Sequence, residues 1–157
     1  MLRMKKLVCF LLITMGTRSI AQDSLSFWQF AANFEVNEKG TLDHSWGSET
    51  FQYLGTLKWN SPSGKELEIR IVTSYRRITE ANGFKDQSLI ALLKTNNEPI
   101  KIYDLVSRQN IPIRIENNLL VFDIKGSSLT SSLPAKFAER FCVEGLTCFD
   151  EAVLAVK

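Results

Sequence analysis

Period-two alternation of apolar and polar residues, restarted after each of several turn clusters, narrows the folds open to this chain. In "FQYLGTLKWN", Phe51, Tyr53, Leu57 and Trp59 share one face while Gln52, Thr56 and Lys58 share the other. In "KELEIRIVTSY", Leu67, Ile69, Ile71 and Tyr75 alternate with Glu66, Glu68 and Arg70. Between them "NSPSGK" places Pro62 and Gly64 to turn the chain. Successive strand side chains point to opposite faces, so alternation on both sides of a turn cluster predicts a hairpin.

Two further units follow the same logic. "SLIALLK" is almost wholly apolar, as expected of a strand covered on both faces. "TNNEP" then turns the chain into "IKIYDLV", where the change of apolar phase predicts a bulge near Ile102 or Tyr103. In "IPIRIE", Ile111, Ile113 and Ile115 face one way, and Pro112, which cannot donate to a ladder, predicts an edge strand or a bulge. Asn117 and Asn118 suit the positive φ of a tight turn, and Leu120, Phe122 and Ile124 answer beyond it.

The ends of this body are read less directly. "FWQFAANFEV" puts Trp28, Phe30, Ala32, Phe34 and Val36 in phase as a strand, whereas a helix would gather Phe27, Phe30, Ala31 and Phe34. The strand is preferred because "NEKG" follows as a turn. "LPAKFAERFC" carries a helical pattern, with Pro134 near a first turn and Ala, Lys, Glu and Arg after it. The fold expected is mainly β: an antiparallel meander forming a small sandwich or a barrel, with a short C-terminal helix or loop clipped by a disulfide.

The clip is read from "FCVEGLTCFD", which holds Cys142 and Cys148 with five residues, including Gly145, between them. Arg3, Lys5 and Lys6 precede an apolar run from Leu7 to Met15, and Ser19-Ile20-Ala21 follows with small residues at the cleavage positions. This predicts a secretory leader over residues 1–21 and one β-rich domain over 22–157. The apolar run is short of the roughly 20 residues that span a bilayer, so membrane contact is expected only through the transient leader. Cys9 leaves with that leader. The remaining pair enters an oxidising periplasmic or extracellular space, where closing so short a loop contributes about 2 kcal/mol.

Charge and composition exclude several functions. The formal net charge of +2 includes Arg3, Lys5, Lys6 and Arg18, so 19 basic residues less these four leaves 15 against 17 acidic. No basic stripe remains for a phosphate backbone, and nucleic acid is not an expected partner. His44 is the only histidine, too few ligands beside two cysteines for a zinc site, and neither metal nor cofactor is expected. Glu66 and Glu68 share a polar strand face and read as solvated carboxylates.

"LDHSWGSE" gathers Asp43, His44, Ser45, Ser48 and Glu49, but neighbours on a strand point apart and no Gly-x-Ser-x-Gly elbow is present. It reads as a polar turn with Trp46 exposed beside it. "SYRRITEANGFKDQS" reads as the longest polar connection, with Arg76, Arg77 and Lys85 available to an acidic partner. The candidate binding residues are therefore Trp46, His44, Arg76 and Arg77. The function expected is an exported, non-catalytic binding or interaction domain of the bacterial cell envelope that engages a protein partner. A small-ligand carrier with a closed barrel is the alternative, and a hydrolase using His44 the third.

Overall fold

The computed structural model describes residues 28–105, 107–134, 136–146 and 148–152. The leader read in residues 1–21 lies outside them. Strand accounts for 61 % and helix for 6 %, so the mainly β expectation holds. The strands are β1 (Lys39–His44), β2 (Gly47–Asn60), β3 (Glu66–Glu80), β4 (Gly83–Leu93), β5 (Pro99–Asp104), β6 (Pro112–Glu116), β7 (Leu119–Ile124), β8 (Ser127–Ser131), β9 (Arg140–Cys142) and β10 (Cys148–Glu151). They form a seven-stranded sheet in the order β1-β2-β3-β4-β5-β10-β9 and a three-stranded sheet in the order β6-β7-β8. Neither sheet closes, so the barrel is excluded and the sandwich is what forms.

Every pairing is antiparallel, and the first five strands are a plain meander. The chain then builds the small sheet and returns as the β9–β10 hairpin, which docks on β5 through Asp150↔Asp104 and Glu151↔Tyr103.

The large sheet is apolar on both faces. One face packs against the small sheet in a core that joins Leu57, Ile69, Ile71 and Ile90 to Leu120 and Phe122. The other holds Phe51, Tyr53, Val72, Leu89, Ala91 and Leu93, covered by Trp28, Ala31 and Ala32. A bulge lets β2 serve both: Tyr53 pairs with Val72 and Gly55 with Ile71, leaving Leu54 unpaired. Phe51 and Tyr53 consequently face the second core while Leu57 and Trp59 face the first. The sequence pattern had put all four on one face. It could not show a skipped residue. Gly55 takes φ of +114° there, a conformation in which a side chain is strained.

The covered second face also explains the N-terminal correction. Residues 28–31 form a helical turn rather than a strand, with Ala32 N–H bonded to Trp28 O at 3.1 Å. Helical spacing puts Trp28, Ala31 and Ala32 on the sheet together, all buried, and two alanines allow close approach. Phe34 meets Phe30 and Phe51 edge to face at 5.1 and 4.9 Å. Arg70 donates to the turn's last carbonyl, Ala32 O, at 2.6 Å and to the Tyr53 hydroxyl at 3.2 Å.

Of the helix or loop expected at the C-terminus, the loop is what forms: residues 132–134 and 136–139 are in neither helix nor strand and lead into β9. Side chains from the sheets take the carbonyls a helix would have used. Trp59 Nε1 donates to Pro134 O at 2.8 Å, and the Tyr103 hydroxyl to Ala138 O at 3.0 Å. Phe137 stacks on Trp59 at 4.2 Å, and Phe141 and Phe149 alternate into the core. Helix propensity is weak against two aromatic anchors and a strand partner.

The clip forms as expected. Cys142 and Cys148 are bonded and directly opposed in the β9–β10 register, with Cα atoms 3.9 Å apart. Glu151 N–H bonds to Glu139 O, so counting along the ladder makes the cysteines a non-hydrogen-bonded pair, the kind whose backbones approach most closely. A disulfide between strands fits an oxidising, exported environment. The bulge expected near Ile102 or Tyr103 sits at Ile100 instead, between Leu93↔Pro99 and Leu92↔Lys101, beside a proline that has no N–H to donate. Pro112 behaves as read: β6 is an edge strand, and its register skips Ile113. Asn117 and Asn118 both take positive φ.

Candidate functional site

The four candidate residues divide between two faces of one ribbon. The supposed long polar connection over Ser74–Ser88 is in fact a hairpin, with β3 and β4 paired from Arg70↔Leu93 out to Glu80↔Gly83 and only Ala81 and Asn82 between them. Arg76 and Arg77 are neighbours on β3 and so point to opposite faces. His44 ends β1 and Trp46 lies in the β1–β2 turn, both on the side of Arg76.

On that side a buried carboxylate organises the contacts. Glu49 is 1 % exposed and accepts from the Ser74 hydroxyl and from Arg76 Nε at 2.7 Å. Arg76 lies 5.9 Å from the ring centroids of both Trp28 and Trp46. The guanidinium is thus held by one carboxylate and two aromatic rings, an arrangement that suits its flat, weakly hydrated cation. His44 stacks on Trp46 at 4.3 Å with the rings 9° from parallel. Trp46 is therefore half-buried by its neighbour, not the free platform the sequence suggested.

His44 Nε2 is 3.8 Å from Glu49 Oε2, beyond hydrogen-bond reach. It has no hydrogen-bond partner among the described residues. Ser74, the hydroxyl near this carboxylate, is bonded to Glu49 rather than to His44. The base-to-hydroxyl contact a hydrolase would use is not assembled.

The opposite face carries what the sequence reading missed. Phe84 is 69 % exposed, more than Phe30, Val36 or Ile113, the other large apolar side chains that stand in solvent. Arg77 lies 5.6 Å over its ring and donates to Asp86 at 3.2 Å and to the Tyr75 hydroxyl at 3.4 Å. Arg108, on the short 3-10 turn before β6, lies 4.8 Å over Tyr75. The Tyr75 hydroxyl, followed by Arg77, holds the Asp86 carboxyl below the usual carboxylate range. Asp86 in turn raises Arg77. The result is an ordered strip of two aromatic rings and two guanidinium groups around one carboxylate. Asn82-Gly83 was the available signal, a dipeptide that favours tight turns, and it would have moved Phe84 from a loop onto a strand.

A third feature lies at the other end of β2. A half-open groove of about 340 Å3 is lined by Leu57, Lys58, Trp59, Asn60, Asn118, Ser132 and Leu133. Asn118 accepts from Lys58 N–H at 2.6 Å and donates to Lys58 O at 2.8 Å, closing the strand edge above the groove. Among the described residues no group of three or more His, Cys, Asp or Glu is placed to hold a metal ion. Also among them, no helix is long and apolar enough to cross a membrane.

Comparison with protein-family models, with curated proteins and with solved structures found no match.

Proposed function

We propose that the chain is an exported β-rich binding domain of the bacterial cell envelope that engages a protein partner through the outer ribbon of β3 and β4. Phe84 carries this reading. It is an exposed aromatic ring beside an ordered Arg77–Asp86–Tyr75 set, and aromatic and arginine side chains dominate the binding energy of protein interfaces. The leader read over residues 1–21 delivers the domain to the periplasm or cell surface, with cleavage after Ala21. The Cys142–Cys148 bond suits that destination. A carrier built as a closed barrel is set aside, because the sheets stay open and Leu57, Ile71, Ile90, Leu120 and Phe122 are packed between them.

The test is affinity capture from envelope extract with the purified protein and its Phe84→Ser variant. Phe84 is 69 % exposed and belongs to neither core cluster, so the variant should melt as the wild type does. The reading predicts a partner retained by the wild type and lost by Phe84→Ser. Equal recovery by both proteins rejects the ribbon as the binding surface.

A further inference from the structure

The open sheets leave several strand edges, and most are closed to another strand. β6 has Pro112 and the skipped Ile113. β9 is three residues long and clipped to its neighbour. The outer part of β2 is capped by Asn118. Prolines, bulges and short length are the usual devices that stop edge pairing. Two edges have none of these three, β8 and β1. β8 (Ser127–Ser131) carries no charge that would choose a register. β1, six residues paired with β2 without a register shift at the end of the sheet, presents Lys39 and Asp43.

The ladder fixes which backbone groups of β1 are unused. Tyr53 exchanges bonds with Asn37 and Glu38 on the β1 side, and a two-residue turn joins His44 to Gly47. Alternation then directs Gly40, Leu42 and His44 toward β2, and the N–H and C=O of Lys39, Thr41 and Asp43 outward. Those three residues are exposed.

We infer that β1 is a homodimerisation edge: it pairs antiparallel with β1 of a second copy about a two-fold axis at Thr41. That axis places Lys39 opposite Asp43 of the second copy and Asp43 opposite its Lys39, so both charged pairs are complementary and Thr41 meets Thr41. No other register centred on an outward residue of β1 makes both pairs. On the other face, Leu42 comes to lie beside Gly40 of the second copy. The Phe51 ring stands over Gly40, where a Cβ would fall 2.2 Å from Cζ, so the incoming Leu42 meets an aromatic surface. A single strand pair buries less than a standard interface of about 1,600 Å2, so the dimer is weak and forms at high concentration.

Sedimentation velocity on the purified protein at low salt, up to about 1 mM, is the test. A reversible dimer is expected. Lys39→Asp sets like charges opposite at both symmetric positions and should weaken association about tenfold. The double variant Lys39→Asp with Asp43→Lys restores it. Thr41→Pro removes an outward N–H that β2 does not use, and should give a folded monomer. Amide exchange at Thr41 should slow as concentration rises. A monomer throughout overturns the inference. So does a dimer indifferent to Lys39→Asp, or one the double reversal fails to restore.

Discussion

Tyr103 shows how one side chain couples the two halves of the fold. Its ring is buried, its hydroxyl bonds to Ala138 O, and burial followed by the nearby Glu151 charge pushes its pKa up to about 12. An unfolded tyrosine ionises near 10, so the folded state keeps a proton that the unfolded state has released. Stability from this residue is therefore complete below pH about 10 and declines as pH rises toward about 12. Urea titrations across that range should show the decline in the wild type and a smaller one in Tyr103→Phe. Glu49 gives a second prediction. Glu49→Ala strands the Arg76 guanidinium and should cost about 3 kcal/mol in urea denaturation. Arg140→Ala, which breaks the fully exposed pair with Asp150, should produce no measurable change. Alternation identified which residues are apolar and inside, but Glu49 and Ser74 were invisible to it. A buried carboxylate is chosen by a partner 27 positions away, and nothing local announces that.

Strands and turns were legible where each residue pair is set by its own neighbours. The β2–β3 and β6–β7 hairpins follow from alternation, proline and the Asn117-Asn118 turn. The N-terminal turn was misread, and the tail was left open between helix and loop, because distant groups decide them. Trp28 and Ala31 need the second face of the sheet, and Pro134 and Ala138 give their carbonyls to Trp59 and Tyr103. Two substitutions check these elements. Asn118→Gly keeps the positive φ but removes the clamp on β2, so it should cost about 1–2 kcal/mol and speed amide exchange at Lys58. Gly55→Ala forces a side chain into a strained backbone position and should cost about 1–3 kcal/mol, although no neighbour lies closer than ordinary contact.

Taken together, these elements make an open sandwich whose C-terminal hairpin is clipped and whose β3–β4 ribbon reaches into solvent. The β9–β10 hairpin fixes the chain's return to β5, and its disulfide closes a short loop. Reduction without unfolding should lower stability by about 2 kcal/mol, read as a shift in the denaturation midpoint. The β3–β4 ribbon presents Phe84, Arg77 and Tyr75 on a rigid support, which is where a binding domain would place its contacts. The candidate residues were half legible: His44, Trp46 and Arg76 do come together, while Arg77 belongs to the other face. A photocrosslinking amino acid placed at position 84, with position 65 in the β2–β3 turn as the control, tests that surface in living cells. The account predicts a discrete adduct with one envelope protein at position 84 that disappears when Arg77→Glu is added. No adduct at 84, or the same adduct from position 65, would contradict it.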